Sequence, residues 1–280
     1  MPELPDIELY LHALRPRLLG HPVAAVRVAA PFLVRTVDPP IDALVGRPIT
    51  QLRRLGKRLV LDADGIALVL HLMIAGRLRW LTAAAPIPKR VGLAALDFAH
   101  GSLVVTEAGT TRRASVHMAR GAAGVAAHDP GGLEPLDLDR AGFAARLTSE
   151  RHTLKRALTD PSLFSGIGNA YSDEILHRAR LSPMTLSDTL DADELDRLFT
   201  ATRETLAGWR DALIAATADA FPEKVTAFRP GMRVHGRYGK PCPACGTPVQ
   251  RIRYAATRPT TAPPARPAGG CSPIADCPGS

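Results

Sequence analysis

Apolar residues at Ile7, Leu11, Leu14 and Leu18 return at helical spacing, so "PDIELYLHALRPRLL" predicts an amphipathic helix near the N-terminus. Pro5 suits the first turn, where a missing N–H costs nothing, and Asp6 and Glu8 complement the helix dipole. The pattern then changes. From residue 22 to 126 the runs read as strands, most clearly "ITQLRRLGKRLVLDADGIALVLHLMIAGRLRWL" around the turn "DADG". A second hairpin is expected in "LAALDFAHGSLVVTEAG", turning at His100 and Gly101. Together these predict an antiparallel sandwich or barrel with the first helix packed beside it. "HDPGGLEPLDLD" reads as a linker. Beyond it the helical period returns in "LDRAGFAARLTS", "HTLKRALTD", "NAYSDEILHRAR" and "DADELDRLFTATRETLAGWRDALIAATA", the last starting at Asp191 or Asp193. From Phe221 the chain is loop-like until "MRVHGRYGKPCPACGTPVQRIRY", which predicts two short strands around a cysteine-bearing turn. The sequence contains no internal repeats.

Composition bounds the function. A chain of 280 residues with 46% hydrophobic content can bury a real core, in one large domain or two to three smaller ones. Its net charge of +8 and pI near 9.8 point to a polyanionic partner, nucleic acid first. No apolar run reaches membrane-spanning length, and "MPELPDIE" has neither the basic start nor the apolar core of a signal peptide. A cytoplasmic, nucleoid-associated location is expected. All four cysteines fall in the last forty residues, which fits a metal module better than a disulfide framework.

Four stretches carry chemistry. Removal of the initiator Met ahead of a small residue leaves Pro2 as a secondary amine, and an α-amino group titrates at about 7.7–8.0. Such an amine attacks a carbon bearing a leaving group and can give only a charged iminium, a strong electron sink. Glu3 stands beside it as general acid or base. Lys57, in "LRRLGKRLVL", falls at the mouth of a predicted hairpin. In "SGIGNAYSDEIL", Gly166 and Gly168 allow a tight turn and put Asn169 at a helix N-terminus, where a phosphate can be held. Cys242 and Cys245 in "CPACG" have the C-x2-C spacing with which two thiolates grip one zinc ion. Taken singly, each has an ordinary explanation: a frayed terminus, a solvated lysine, a capped helix, half a knuckle.

Together, "MPELPD", "GKRLVL", "HLMIAGRL", "SGIGNAYSDEIL" and "VHGRYGKPCPACGTP" stand in the order and spacing of the formamidopyrimidine-DNA glycosylase and endonuclease VIII family, which the chain resembles from residue 1 to about 254. The resemblance implies an α+β, multidomain fold. Residues 1–131 would form an N-terminal antiparallel β-sandwich with an N-terminal helix, and 132–220 a helix–two-turn–helix domain. Residues 221–280 would form a zinc-finger hairpin with an altered tail. It implies a bifunctional DNA glycosylase and abasic-site lyase of base excision repair, a monomer acting on double-stranded damaged DNA without a membrane. By that likeness Pro2 attacks C1′ of a flipped nucleotide, Glu3 shuttles protons, and Lys57 contacts the phosphate beside the lesion. Asn169 and Lys155 would hold backbone phosphates, and a structural Zn2+ would sit on the cysteines.

The chain departs from the family pattern in its wedge. Where the family carries a "DPRRFG"-like loop, this sequence reads "TEAGTTRRASVHM", with Arg112 and Arg113 present but Ala114 in place of the aromatic. Where the family inserts a Met, "HLMIAG" places Ile74, and the second acid of the opening motif is Asp6. Oxidised purines are the first expectation for the substrate. An enzyme preferring oxidised pyrimidines or abasic sites, or a catalytically impaired DNA binder, is the alternative.

The tail departs further. Cys271 is separated from Cys245 by 25 intervening residues and from Cys277 by five, a poor spacing for a zinc hairpin. Back-translated with free choice of third bases and read one base out of frame, the end of the chain spells "RNETNYCAPCQTGGRLLADRGLSRL". That string holds a second C-x2-C sixteen residues after Cys245. A one-base insertion or deletion near codon 255 would account for it, a genuine divergent tail is the alternative, and the nucleotide sequence is the test.

Overall fold

The computed structural model describes residues 1–250; Cys271, Cys277 and the tail from about 255 lie outside the described residues. The chain divides into two compact units, residues 1–132 with 165–167 and 207–226, and residues 133–164 with 168–206 and 227 onward.

The first unit opens with helix α1 (Leu4–Leu18), whose N-cap is Glu3. The Glu3 backbone N–H donates to the Asp6 carboxylate at 2.9 Å while the Glu3 carboxylate accepts from the Asp6 backbone, closing a reciprocal capping box. Asp6 thus has a structural use that depends on its reach from the third helical position. Ile7, Leu14 and Leu18 are fully buried, each side chain contributing about 1.5–3 kcal/mol by transfer from water.

Eight strands follow: β1 (Ala25–Val28), β2 (Gln51–Leu55), β3 (Arg58–Ala63), β4 (Ile66–His71), β5 (Gly76–Leu81), β6 (Gly92–Phe98), β7 (Gly101–Glu107) and β8 (Ser115–Arg120). They form two four-stranded antiparallel sheets, ordered β1-β6-β7-β5 and β2-β3-β4-β8. Leu59, Leu61, Leu68 and Leu70 of one sheet share a core with Leu93, Leu96, Leu103 and Val105 of the other, and with α1. The expected β3–β4 hairpin turns at Asp64 and Gly65, both at positive φ, a geometry that favours those residue types. The β6–β7 turn falls at Ala99 and His100, one residue earlier than expected, because Gly101 is already in the ladder opposite Phe98. Short helix α2 (Gly121–Ala126) follows β8, in a stretch that reads as strand in the sequence. Six residues rich in Gly and Ala carry no helical stripe; only Val125 is buried, against the outer face of β4 and β8.

The second unit holds α3 (Arg140–Leu147), α4 (Leu154–Thr159), α5 (Asn169–Ala179) and the N-terminal part of α6 (Ala192–Thr217). Asp191 caps α6 by accepting from Glu194 N–H at 2.7 Å, while Glu194 accepts in return at 3.2 Å. The two strands expected around the cysteines reduce to one antiparallel bridge, Pro241 opposite Pro248, among the described residues. Proline has no N–H to extend a ladder from either position.

Candidate active site and nucleic-acid interface

In the first unit, strand register gathers the sequence-predicted residues at one end of the sandwich. Leu55 of β2 pairs with Arg58 of β3, Arg58 with His71 of β4, and His71 with Ser115 of β8. In the other sheet, Gly76 of β5 pairs with Glu107 of β7. The turn at Gly56 and Lys57, the crossover of residues 72–75 and the crossover of residues 108–114 therefore leave the same end. The N-terminus lies there too, since the Met1 ammonium feels Glu3, Arg77, Asp6 and Lys57.

Pro2 and Glu3 are buried, Glu3 only 3% exposed. The segment "SGIG" supports them. Leu4 N–H donates to the Gly166 carbonyl at 2.9 Å. Arg54 donates to Glu8 Oε1 at 3.0 Å, to the Gly56 carbonyl at 2.8 Å and to Ser165 Oγ at 3.1 Å. Gly166 has φ +79°, and a Cβ there would lie 2.8 Å from Arg54 Nη1 and 2.9 Å from Leu4 Cβ. The glycine read in the sequence as freeing a helix start is thus also what lets the chain pass beneath the N-terminus. Arg54 was not singled out in the sequence; only the fold makes it a brace.

Burial lowers the Met1 ammonium below its ordinary pKa, with Arg77 and Lys57 adding to the effect and Glu3 opposing it. Burial also lowers Lys57, which Glu3 pulls back up. His71, another residue the sequence did not mark, is pushed down to about 4 by burial, then by Arg58 and Lys57. Its buried Nε2 has no hydrogen-bond partner among the described residues, which leaves a neutral imidazole among cations.

Ile74 is 63% exposed on the 72–75 crossover, its carbonyl accepting from Arg77 Nη1 at 3.2 Å. Gly76 is required here, because a Cβ would stand 2.2 Å from the Leu72 carbonyl oxygen. On the other crossover Arg112 is half-buried, Arg113 exposed and Ala114 fully buried. No apolar side chain projects from position 114.

The second unit places its residues differently. Asn169 is exposed at the first position of α5. Lys155, assigned by resemblance to a phosphate, is 6% exposed, and its ammonium donates to the Asn169 carbonyl at 2.8 Å, Ser172 Oγ at 2.8 Å and the Asp173 carboxylate. Asp173 also meets His235 Nδ1 at 2.8 Å. Glu174 accepts from the backbone N–H groups of Arg233, Val234 and His235 at 2.8, 2.9 and 2.9 Å. Cys242 is buried with His177 Nε2 3.2 Å from its sulfur, while Cys245 is exposed. Among the described residues no three groups are clustered as a metal site needs. A structural zinc site takes four ligands, and Cys242 and Cys245 are not joined by two more among the described residues.

A family model described as the formamidopyrimidine-DNA glycosylase N-terminal domain matches residues 1–115, and one described as the H2TH domain of the same proteins matches residues 132–213. The chain belongs to the formamidopyrimidine-DNA glycosylase family. A curated relative from Moorella thermoacetica, named formamidopyrimidine-DNA glycosylase, is 34% identical over 268 residues, covering 90% of this chain and 95% of its own. Another of that name, from Heliobacterium modesticaldum, is 35% identical over 276 residues, with 91% and 96% covered. Among solved structures, a complex between Lactococcus lactis Fpg and DNA containing an abasic site superposes with a TM-score of 0.79 over 90% of this chain and 95% of that one. At 24% identity that is a likeness of fold. No helix among the described residues is long and apolar enough to cross a membrane.

Proposed function

We propose that this family member is a bifunctional DNA glycosylase of base excision repair, which removes oxidised bases such as 8-oxoguanine and formamidopyrimidine and cuts the strand at the abasic sugar. The buried opening of α1 carries the reading: Glu3, fixed by its capping box, directly follows the buried Pro2, where burial lowers the Met1 ammonium below its ordinary pKa. With Met1 removed, the Pro2 nitrogen becomes a secondary amine at the same end of the sandwich. Its lone pair attacks C1′ of an extruded nucleotide, the C1′–N bond breaks, and the base leaves with that electron pair and takes up a proton. The amine gives up its proton, and the C1′–O4′ bond then breaks as the ring oxygen takes up a proton. The iminium so formed acidifies the C2′ hydrogen; loss of that proton expels the 3′-phosphate, and loss of a C4′ proton then expels the 5′-phosphate. Glu3 is placed to move protons on the opened sugar. Lys57 makes no hydrogen bond with a described residue, so its ammonium is available to the phosphate beside the lesion.

The partner is double-stranded damaged DNA, bound by a monomer, and the net charge of +8 favours it. The names of the curated relatives and the DNA in the structural neighbour support this reading.

The test is borohydride trapping on duplex DNA carrying one abasic site, with the cross-linked peptide mapped by mass spectrometry. An adduct on Pro2 is the expected result. An adduct on a lysine with Pro2 unmodified overturns the mechanism, and DNA binding with no adduct makes the chain a binder without chemistry.

A further inference from the structure

Two arginines on one sheet face have unequal partners. Arg53 and Arg58 each adjoin a core leucine, Leu52 or Leu59, so strand alternation turns both onto the outer face of the β2-β3-β4-β8 sheet. Arg53 Nε donates to the Asp62 carboxylate at 2.9 Å. Arg58, half-buried, makes no hydrogen bond or ion pair with a described residue.

The register gathers further donors around Arg58. It stands opposite His71, His71 stands opposite Ser115, and one row along Val69 stands opposite His117. Arg58, His71, Ser115 and His117 therefore share the outer face with Val60, Val69 and Ala119. His128, just after α2, lies over this face with its ring centroid 4.6 Å from that of His117. Neither imidazole makes a hydrogen bond with a described residue, nor does the Ser115 hydroxyl. Among the described residues Asp129 is the one acid that acts on Arg58, and it does so without forming an ion pair; its Oδ1 accepts from Gly131 N–H at 2.9 Å. Like charges on facing strands cost stability, and an anion offsets that cost.

We propose that Arg58, His117 and His128 form a phosphate-binding site on the outer face of the β2-β3-β4-β8 sheet, with the Ser115 hydroxyl as a fourth donor. The site goes beyond the glycosylase reading and does not need Pro2. A guanidinium fork suits phosphate oxygens, and protonated imidazoles add charge-assisted hydrogen bonds. Burial lowers His117 below its ordinary pKa, with His128, Arg58 and Arg35 adding to the effect, and burial then Arg58 lower His128. His71 on β4 and Arg58 on β3 face the same group, and Arg35 joins it from the segment bonded to β8, its N–H on the Val116 carbonyl. The imidazoles are thus neutral in the free protein and take up protons as an anion arrives. The phosphate is that of a DNA backbone or of a small phosphate compound, and the experiment separates the two.

Nitrogen-edited NMR follows the histidine rings as inorganic phosphate, or an undamaged DNA duplex, is added to wild type, Arg58→Gln and Arg53→Gln. The His117 and His128 signals move in wild type and in Arg53→Gln, while Arg58→Gln needs about tenfold more probe, the loss of one hydrogen-bonded charge. Where the duplex moves the rings, the phosphate belongs to DNA. Duplex binding by anisotropy then tightens about tenfold between about pH 7.5 and about pH 6, one linked proton per pH unit, and a His117→Gln/His128→Gln double variant loses that gain. Where inorganic phosphate alone moves them, duplex binding is the same in every variant and the ligand is a small phosphate compound. Rings that move with neither probe, or equally in Arg58→Gln, overturn the site, as does a duplex response whose pH gain survives in the double variant. The wild-type titration needs no variant to fold. No step uses Pro2, so absence of a borohydride adduct reports on the glycosylase reading alone.

Discussion

Two lysines that look alike in the sequence, Lys57 and Lys155, have opposite fates in their units. Lys57 sits in the β2–β3 turn, partly buried, with its pKa lowered and its ammonium unclaimed by any described acceptor. Lys155 lies deep between α4 and α5, its ammonium shared among a carbonyl, a hydroxyl and a carboxylate. The end of the sandwich keeps polar groups unsatisfied, which costs stability and leaves them for a ligand. The α4–α5 region satisfies its polar groups internally and so fixes shape: Glu174 holds the 233–235 backbone, Asp173 meets the His235 ring, and Lys155 balances the Asp173 charge. A free donor marks a binding site; a saturated one marks a scaffold.

The largest effect that would sharpen this contrast is on stability. Lys155→Met leaves Asp173 with its lysine partner gone in a buried site and is expected to cost about 3–5 kcal/mol. Thermal unfolding reads it; a melting temperature unchanged from wild type breaks the contrast. Next, Lys57→Ala lowers the rate of strand cutting at an abasic site roughly a hundredfold, about 2.7 kcal/mol of barrier, while the melting temperature stays level or rises because a penalised charge is gone. A destabilised variant that still cuts normally would place Lys57 with Lys155 as scaffold.

Smaller is the pH response of His71. Its folded pKa of about 4 lies below the ordinary 6.5, so the unfolded chain binds its proton first as pH falls. The stability this neutral imidazole contributes is present above about 6.5 and is lost as pH falls from there toward 4, by up to about 3 kcal/mol. Denaturant titrations between those limits, compared with His71→Gln, check it: the variant loses less stability over the same range. An NMR titration placing His71 near 6.5 removes the cationic, buried surroundings on which the prediction stands.

Much of this was legible in the order of residues. The α1 stripe, the "DADG" turn, the β hairpins and the helical stretches follow from local period and turn chemistry, which act over a few residues. The five motifs in register marked the family because spacing along the chain survives without knowledge of contacts. Helix α2 was not legible, since six small residues have no period and are helical only because Val125 finds an apolar sheet face. Nor were the strands around Cys242, where the prolines at 241 and 248 leave a single bridge.

The sequence by itself determined the chemistry on offer: an amine-forming Pro2 next to Glu3, two lysines, two arginines, a pair of thiols and an excess of positive charge. Tertiary structure alone decided which of these are available. Gly166 lies more than 160 residues from the N-terminus it supports, Glu107 reaches across a crossover to hold the Arg113 and Ala114 backbone, and Asp173 claims Lys155. Each decision is a hydrogen bond between residues that only folding brings together, and a donor's use depends on whether an acceptor already holds it.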